Sequence, residues 1–218
     1  MKFIVETEAA WLELRKQYIT ASSAAVLVGA DPYSSPAKLK KPDVFTGNAY
    51  TLVGQMLEPV VCNVTNSVLG LTGDAVFNLI ENAAGHKEFY TAGLLGATPD
   101  AYSEGLKMLL ECKTTRPQTF LKYSSVPPAK YLIQLIVQML CTDISSGYLA
   151  IMSTNLTQAS PTLIWPISIY KVYRCERICN ILLEQVKAFT ENDNFRVDSK
   201  IKQKVKLLLS LCYERVKI

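Results

Sequence analysis

The sequence predicts a mixed α/β domain built around a central β-sheet. Helical segments precede, separate and follow short strand-like runs, and this order is typical of a sheet covered by helices. Nearly half of the 218 residues are hydrophobic, which is enough for a substantial core. We expect a single domain, with its core over about residues 15–170 and C-terminal helices over about residues 173–217.

Helical patterns lie at both ends of the chain and between the strand-like runs. Thr7 is a suitable N-cap for a first helix, and Ser22 or Ser23 for a second one that Gly29 ends. Pro59 should kink a longer helix or begin a new segment. The predicted helices cover residues 7–17, 22–29, 48–69, 117–123, 128–141, 173–192 and 199–217.

Five runs have the composition of strands. The segment "YSEG", residues 102–105, indicates a turn before the third run. Pro166 favours an edge position or a bulge in the last run. The runs are "DAVFNLI" (74–80), "LLGAT" (94–98), "LKMLLECK" (106–113), "GYLAIMS" (147–153) and "TLIWPISIY" (162–170).

Composition excludes several classes of protein. The net charge of +4 permits a polyanionic partner without requiring one. Glu6 and Glu8 interrupt the stretch that a signal peptide would need, and no uncharged apolar run is as long as a membrane span, so we expect an intracellular protein in the cytoplasm or a host cell. The six scattered cysteines are expected to be reduced thiols, since no further ligand pair accompanies Cys175 and Cys179 at the spacing of a metal site.

A charged cluster in the third run indicates chemistry. Side chains alternate along a strand, so Glu111 and Lys113 should share one face while Cys112 points to the other. If "YSEG" reverses the chain, Asp100 returns beside them. Two carboxylates and the Cys112 carbonyl form an all-oxygen site suited to Mg²⁺ or Mn²⁺. The alternative is a salt-bridged pair on a solvated strand face, with Asp100 serving only the turn.

Such a cluster suits the hydrolysis of a phosphodiester. A divalent cation neutralises the negative charge that repels nucleophiles and lowers the pKa of bound water. Lys113 would orient the attacking water or stabilise charge in the transition state.

Five segments, in order, resemble the motifs of the lambda-type exonuclease family, the YqaJ-like viral recombinases of the PD-(D/E)xK nuclease superfamily. The resemblance runs from about Arg15 to Ser153 and implies a restriction-endonuclease-like central mixed sheet flanked by helices, with helical N- and C-terminal additions. The segments are "RKQYITAS" (15–22), "GQMLEP" (54–59), "ATPDAY" (97–102), "LLECK" (109–113) and "YLIQLIVQ" (131–138).

The resemblance also implies roles for individual residues. Asp100 and Glu111 would bind one or two metal ions with the Cys112 carbonyl, and Lys113 would assist the water. Glu58 would face a metal from its helix.

Further roles follow for residues outside the two carboxylate motifs. Gln134 would hold the nucleophile, although Gln138 follows it by four residues where the family has two. Arg15, Ser22 and Thr98 would bind the 5′-phosphate of a DNA end, with Thr98 in place of a more usual serine. Lysines 38, 40, 41, 122 and 130 either line a DNA track or belong to an ordinary solvated surface.

The function implied is a metal-dependent exonuclease that degrades one strand of duplex DNA from 5′-phosphorylated ends. The remaining 3′ single strand would pass to an annealing or recombinase protein. Family members assemble into rings, which implies a homo-oligomer such as a trimer. Two alternatives stay open: an endonuclease of the same superfamily, and a non-catalytic protein that binds DNA ends on the same scaffold.

Overall fold

The computed structural model describes residues 1–40, 49–80, 87–154 and 166–217. These residues form two mixed β-sheets flanked by helices, which confirms the predicted mixed α/β class. The expected central sheet is the larger of the two, and a smaller sheet stands beside it. Three parts of the prediction lie outside the described residues: the helix start at residue 48, Lys41 and residues 162–165 of the last strand-like run.

Ten strands occur in the described ranges. The larger sheet has the order β10-β9-β8-β7-β6-β3, with β7 and β8 parallel and the other neighbours antiparallel. The smaller sheet has the order β1-β4-β5-β2, with β2 and β5 parallel. The strands are β1 Lys2–Val5, β2 Ile19–Thr20, β3 Asn78–Leu79, β4 Lys87–Ala92, β5 Leu95–Ala97, β6 Ala101–Ser103, β7 Met108–Thr115, β8 Ser146–Ser153, β9 Ile167–Tyr173 and β10 Tyr213–Arg215.

The helices account for most of the remaining chain. A short 3₁₀ turn covers Gly73–Ala75. Across the described ranges, every helix is too short or too polar to cross a bilayer. The α-helices are α1 Glu8–Arg15, α2 Ala21–Leu27, α3 Pro36–Lys40, α4 Ala49–Val68, α5 Pro117–Tyr123, α6 Ala129–Thr142, α7 Glu176–Glu191 and α8 Ser199–Leu209.

Most helix predictions are confirmed, with local corrections at their ends. Thr7 caps α1 by accepting a hydrogen bond from the Ala10 N–H. The second helix begins one residue earlier than predicted, with Thr20 at its N-cap position, so Ser22 lies within α2. Pro59 does not divide α4, which runs continuously past it. The proline removes one intrahelical hydrogen bond, and the rest of this long helix maintains the geometry around it.

The sequence prediction missed five strands: β1, β2, β4, β6, which lies where the turn "YSEG" was expected, and β10. Both β1 and β4 belong to the smaller sheet, and β10 replaces the end of a helix that was expected to reach residue 217 but stops at Leu209. These segments are short, and their strand conformation comes from pairing with distant parts of the chain, such as β1 with β4. Pro166 lies just before β9 and therefore leaves the ladder of that strand intact.

The core lies on both faces of the larger sheet. On one face, side chains such as Leu109, Ile151 and Tyr170 pack against α2, α6, α7 and α8. On the other face, Leu110 and Met152 belong to a cluster with α4. This alternation of neighbouring residues between two clusters is what a sheet buried on both faces requires.

A buried asparagine joins α4 to the segment that leads into β3. The Asn66 amide donates to the Phe77 carbonyl at 3.0 Å, and its side-chain oxygen accepts from the Phe77 N–H at 2.9 Å. Asn66 is 8% exposed and Phe77 is 2% exposed. The pair satisfies both backbone groups of a residue that has little access to water.

Replacing Asn66 by Ala should lower the free energy of unfolding by about 1–3 kcal/mol, because it leaves the buried Phe77 N–H unsatisfied. The Phe77 carbonyl keeps the Cys62 thiol as a donor at 3.3 Å. Urea denaturation followed by circular dichroism would measure the change. Asn78→Ala is the matched control, since Asn78 is exposed and makes one long hydrogen bond of 3.4 Å. Equal stability of the two variants would contradict the prediction.

Candidate active site

The hairpin of β6 and β7 brings Asp100 back to the end of the neighbouring strand, as the sequence predicted. Ala101 pairs with Leu110, and Asp100 Oδ2 accepts a hydrogen bond of 2.8 Å from the Cys112 N–H. The turn covers residues 104–107, two residues later than "YSEG" indicated, because β6 continues to Ser103. The position of Asp100 is thus fixed by strand register and by a bond to the backbone of β7.

Glu111 and Lys113 share one face of β7 and form an ion pair. Glu111 has no exposed surface, and the Lys113 side chain is 23% exposed. Cys112 points to the opposite face, where it packs in the cluster with α4. The alternative interpretation of the motif is correct about the ion pair but wrong about its setting, because this strand face is buried rather than solvated.

Two glutamines of α6 hold the Glu111 carboxylate. Gln134 Nε2 donates to Oε1, which also accepts from Lys113, and Gln138 Nε2 donates to Oε2 at 2.6 Å. Three of the four lone-pair directions of the carboxylate are therefore used, and one on Oε2 remains. Gln138 was not among the predicted site residues, although its spacing of four from Gln134 put both on one helix face.

The electrostatics show a site rich in negative charge. Burial, and then the neighbouring Glu111, raise the pKa of Asp100 well above its usual range, and Lys113 only partly offsets this. Burial alone would lower the pKa of Lys113, but Glu111 and Asp100 reverse that effect, so the net shift is upward. Glu58 adds to the upward shift of the Asp100 pKa. The ammonium group of Lys113 thus stays charged at neutral pH beside the Glu111 and Asp100 carboxylates.

The oxygen donors fit a divalent cation. Asp100 and Glu58 line the same cleft. The Cys112 carbonyl points to the same edge of β7 as its N–H, which faces Asp100, because both groups of a strand residue point to one side. Gln138 Oε1 is buried and accepts no hydrogen bond from the residues that the structure describes. These hard oxygen donors suit Mg²⁺ or Mn²⁺.

Glu58 does not complete a preformed three-carboxylate cluster. In the described ranges, no three His, Cys, Asp or Glu side chains lie close enough together to hold a metal ion. The same finding covers Cys175 and Cys179, and all six cysteines are free thiols. An ion held by the carboxylates here would complete its coordination with backbone oxygens, amide oxygens or water.

The three residues predicted to hold a 5′-phosphate come together in the same cleft, which has a volume of about 410 Å³. Arg15 enters from α1, Ser22 from α2 and Thr98 from the segment between β5 and β6. Ser22 Oγ lies 3.1 Å from the Thr20 hydroxyl. Burial lowers the pKa of Arg15. The cleft therefore combines a partly desolvated guanidinium with hydroxyl groups, which is a chemistry that suits phosphate.

A tryptophan that the sequence analysis missed organises this pocket. The Trp11 Nε1–H donates to Thr98 Oγ1 at 3.0 Å. The guanidinium of Arg15 lies 4.2 Å from one Trp11 ring centroid, and Lys87 Nζ lies 4.3 Å from the ring. Trp11 stands one helical turn before Arg15, which is a spacing that could have identified it. Lys87 lies on β4, one of the strands that were not predicted.

Comparison with known proteins identifies relatives of the chain. The family model of the YqaJ-like viral recombinase domain matches residues 10–145. A comparison with curated proteins gives no match.

Solved structures share the fold. An alkaline exonuclease from Laribacter hongkongensis is 19% identical, with a TM-score of 0.63 over 93% of this chain and 96% of that chain. Its complex with dAMP gives a TM-score of 0.60 with the same identity and coverage. A phage-related exonuclease from Haemophilus somnus 129PT is 16% identical, with a TM-score of 0.57 over 90% of this chain and 98% of that one. The chain therefore shares the mixed α/β fold of these exonucleases.

Lys113→Met should lower the free energy of unfolding by about 3–5 kcal/mol, because it leaves the buried Glu111 carboxylate without a cation. The double variant Glu111→Met with Lys113→Met should recover most of this loss, since neither buried charge then remains. Urea denaturation of both variants would measure the difference. Lys107→Met is the control, because its ion pair with Glu104 is fully exposed and should leave stability unchanged. A double variant as unstable as the single one would contradict the prediction.

Proposed function

Because this chain belongs to the family of the YqaJ-like viral recombinase domain, we propose that it is a metal-dependent exonuclease that degrades one strand of duplex DNA from 5′-phosphorylated ends. One observation carries the proposal. The hairpin of β6 and β7 holds Asp100, Glu111 and Lys113 together, beside a cleft that also contains Arg15 and Ser22. Carboxylates for a cation and donors for a phosphate thus occur in one place.

Asp100, Glu111, Glu58 and the Cys112 carbonyl are the groups that would hold one or two Mg²⁺ or Mn²⁺ ions. When bound, such an ion neutralises the charge of the phosphodiester and polarises it towards attack. Asp100 is kept in place by the Cys112 N–H, and Glu111 by the two glutamines of α6. Hydrogen bonds within the protein therefore orient both carboxylates before substrate binds.

Lys113 and Gln134 are the groups that would act on the water and the phosphate. The raised pKa of Lys113 keeps its ammonium group protonated at neutral pH. Lys113 would therefore stabilise negative charge that develops on the phosphate, or orient the attacking water by donating a hydrogen bond. Gln134 lines the cleft and contacts Glu111, so it would position the water between the carboxylates and the substrate.

Arg15, Ser22 and Thr98 would bind the 5′-terminal phosphate. Trp11 fixes Thr98 by a hydrogen bond and supports Arg15 by stacking, so the two donors reach the pocket in a set arrangement. The Laribacter hongkongensis exonuclease has been crystallised in complex with dAMP, a mononucleotide that carries a terminal phosphate. This supports a pocket that recognises a terminal phosphate.

The product follows from this activity, and the family resemblance suggests the assembly. Removal of one strand leaves a 3′ single strand, which would be the substrate of an annealing or recombinase protein. A ring of subunits, such as a trimer, would enclose the DNA and keep the enzyme on it through many steps.

The metal-dependent activity can be tested on linear duplex DNA. Asp100→Ala should lower the rate of digestion at least ~100-fold, because it removes a carboxylate that holds the cation, and omission of Mg²⁺ should abolish digestion by the unaltered protein. Glu104→Ala removes an exposed carboxylate on the adjoining turn and should digest at the normal rate.

Three outcomes would oppose this function. Full activity of Asp100→Ala would remove the proposed mechanism. Cleavage of closed circular DNA as fast as linear DNA would favour an endonuclease. Salt-dependent binding of DNA ends without any metal-dependent cleavage would favour a non-catalytic end-binding protein.

The end preference can be tested with duplexes that carry a phosphate or a hydroxyl at one chosen 5′ end. The phosphorylated strand should be digested about 10–100-fold faster, since a charge-assisted contact is worth about 1.5–3 kcal/mol. Arg15→Gln should reduce this ratio towards one, whereas Lys16→Gln, on the exposed side of the same turn, should not. Equal attack on both ends by the unaltered protein would exclude the role of Arg15, Ser22 and Thr98.

A further inference from the structure

A second cavity, of about 850 Å³, is separate from the active-site cleft and shares no lining residue with it. It lies between α8 on one side and the segment that joins α5 to α6 on the other, with the end of α2 as its base. Its floor is aliphatic and includes Val126, Pro127, Val205 and Leu209. Val126 is 62% exposed. We call this cavity the lysine-rimmed groove, because four lysines line it.

Four lysines line the two rims of the groove. Lys122 and Lys130 stand on the side of α5 and α6, and Lys202 and Lys206 stand on α8. Among the residues that the structure describes, no carboxylate lines the groove and none forms an ion pair with these lysines. Like charges that face each other across an apolar floor repel one another. The arrangement is therefore complementary to an occupant with negative charge on both sides of an apolar strip.

The composition of the groove floor favours a protein segment over a nucleic acid as its occupant. Single-stranded nucleic acid is bound on grooves where exposed aromatic rings stack with successive bases. Here most of the apolar lining consists of aliphatic side chains and prolines, with two rings, Tyr33 and Tyr123. The Tyr123 ring packs edge-on against Tyr131 rather than lying open for stacking. The most exposed ring at its edge is Tyr33, whose face is approached by Lys130 Nζ at 5.2 Å. Aliphatic side chains of a partner would fill such a floor, and acidic side chains beside them would reach the lysines on either rim.

We propose that the lysine-rimmed groove binds a short amphipathic segment of a partner protein in which acidic residues flank apolar ones. This docking function goes beyond the proposed nuclease activity and does not depend on it, because it uses different residues. The groove is nevertheless near the cleft: Lys130 and Gln134 lie four residues apart on α6, about 6 Å along the helix axis. A partner held here would be positioned close to the DNA on which the cleft acts.

Binding can be measured by fluorescence polarisation with three probes. The first is a fluorescein-labelled peptide of about twelve residues in which aspartates alternate with leucine and phenylalanine. The second has asparagine in place of every aspartate, and the third is a labelled oligothymidylate of similar length. The acidic peptide should bind about tenfold more tightly than its asparagine counterpart, since several ion pairs of about 0.5 kcal/mol each are lost in the latter.

Variants with matched controls locate the site. The double variant Lys202→Glu with Lys206→Glu should weaken binding of the acidic peptide at least ~10-fold, and Val126→Asp should weaken it several-fold. Lys204→Glu lies on the same helix but outside the groove, and Leu121→Asp replaces another strongly exposed apolar residue outside it. Both controls should bind as the unaltered protein does. All the altered side chains are exposed, so circular dichroism should show unchanged folding.

Several results would overturn the proposal. One is absence of binding of the acidic peptide at about 1 mM, or equal binding of the two peptides. Another is oligothymidylate binding that the groove variants weaken while peptide binding is unaffected, which would make the groove a nucleic-acid site. A third is a change in subunit number of the groove variants in light scattering, without an effect on the peptide, which would make the occupant a second copy of this chain.

Discussion

The buried Glu111 carboxylate is the constraint on which the architecture of the candidate active site depends. A carboxylate without exposed surface is tolerated only with a cation and hydrogen-bond donors around it. The chain supplies Lys113 from the same strand and two glutamines from α6. These contacts tie the central strand of the larger sheet to a helix that packs on it, so the geometry of the site and the packing of the core cannot change independently.

The sequence predicted those parts of the site that depend on local order. Alternation along β7 placed Glu111 and Lys113 together and Cys112 opposite, and a turn placed Asp100 beside them. Resemblance to a family added Arg15, Ser22 and Thr98, which reach the same cleft. Both kinds of inference rely on short segments whose conformation is set mainly by neighbouring residues.

The parts that were missed depend on contacts between distant segments. The strands β1 and β10 have four and three residues, too few to show a period, whereas β4 has six. Each of the three is defined by pairing with a partner strand. Lys87 was missed together with β4, although its position beside Trp11 makes it part of the cleft that contains Arg15 and Ser22. The hydrogen bond of Gln138 to Glu111 likewise required the register between α6 and β7, which the spacing of the two glutamines suggests but does not determine.

Helix α6 links the two functional surfaces that we infer. It is apolar on almost every side, with Ile133, Leu135 and Ile136 fully buried, so hydrophobic burial alone does little to fix its rotation and register. Gln134 and Gln138 are polar exceptions, and their bonds to Glu111 select that register. The same register sets Lys130 at the rim of the lysine-rimmed groove. A partner that displaced the start of α6 would therefore act on the support of Glu111 through one rigid element, without touching the cleft.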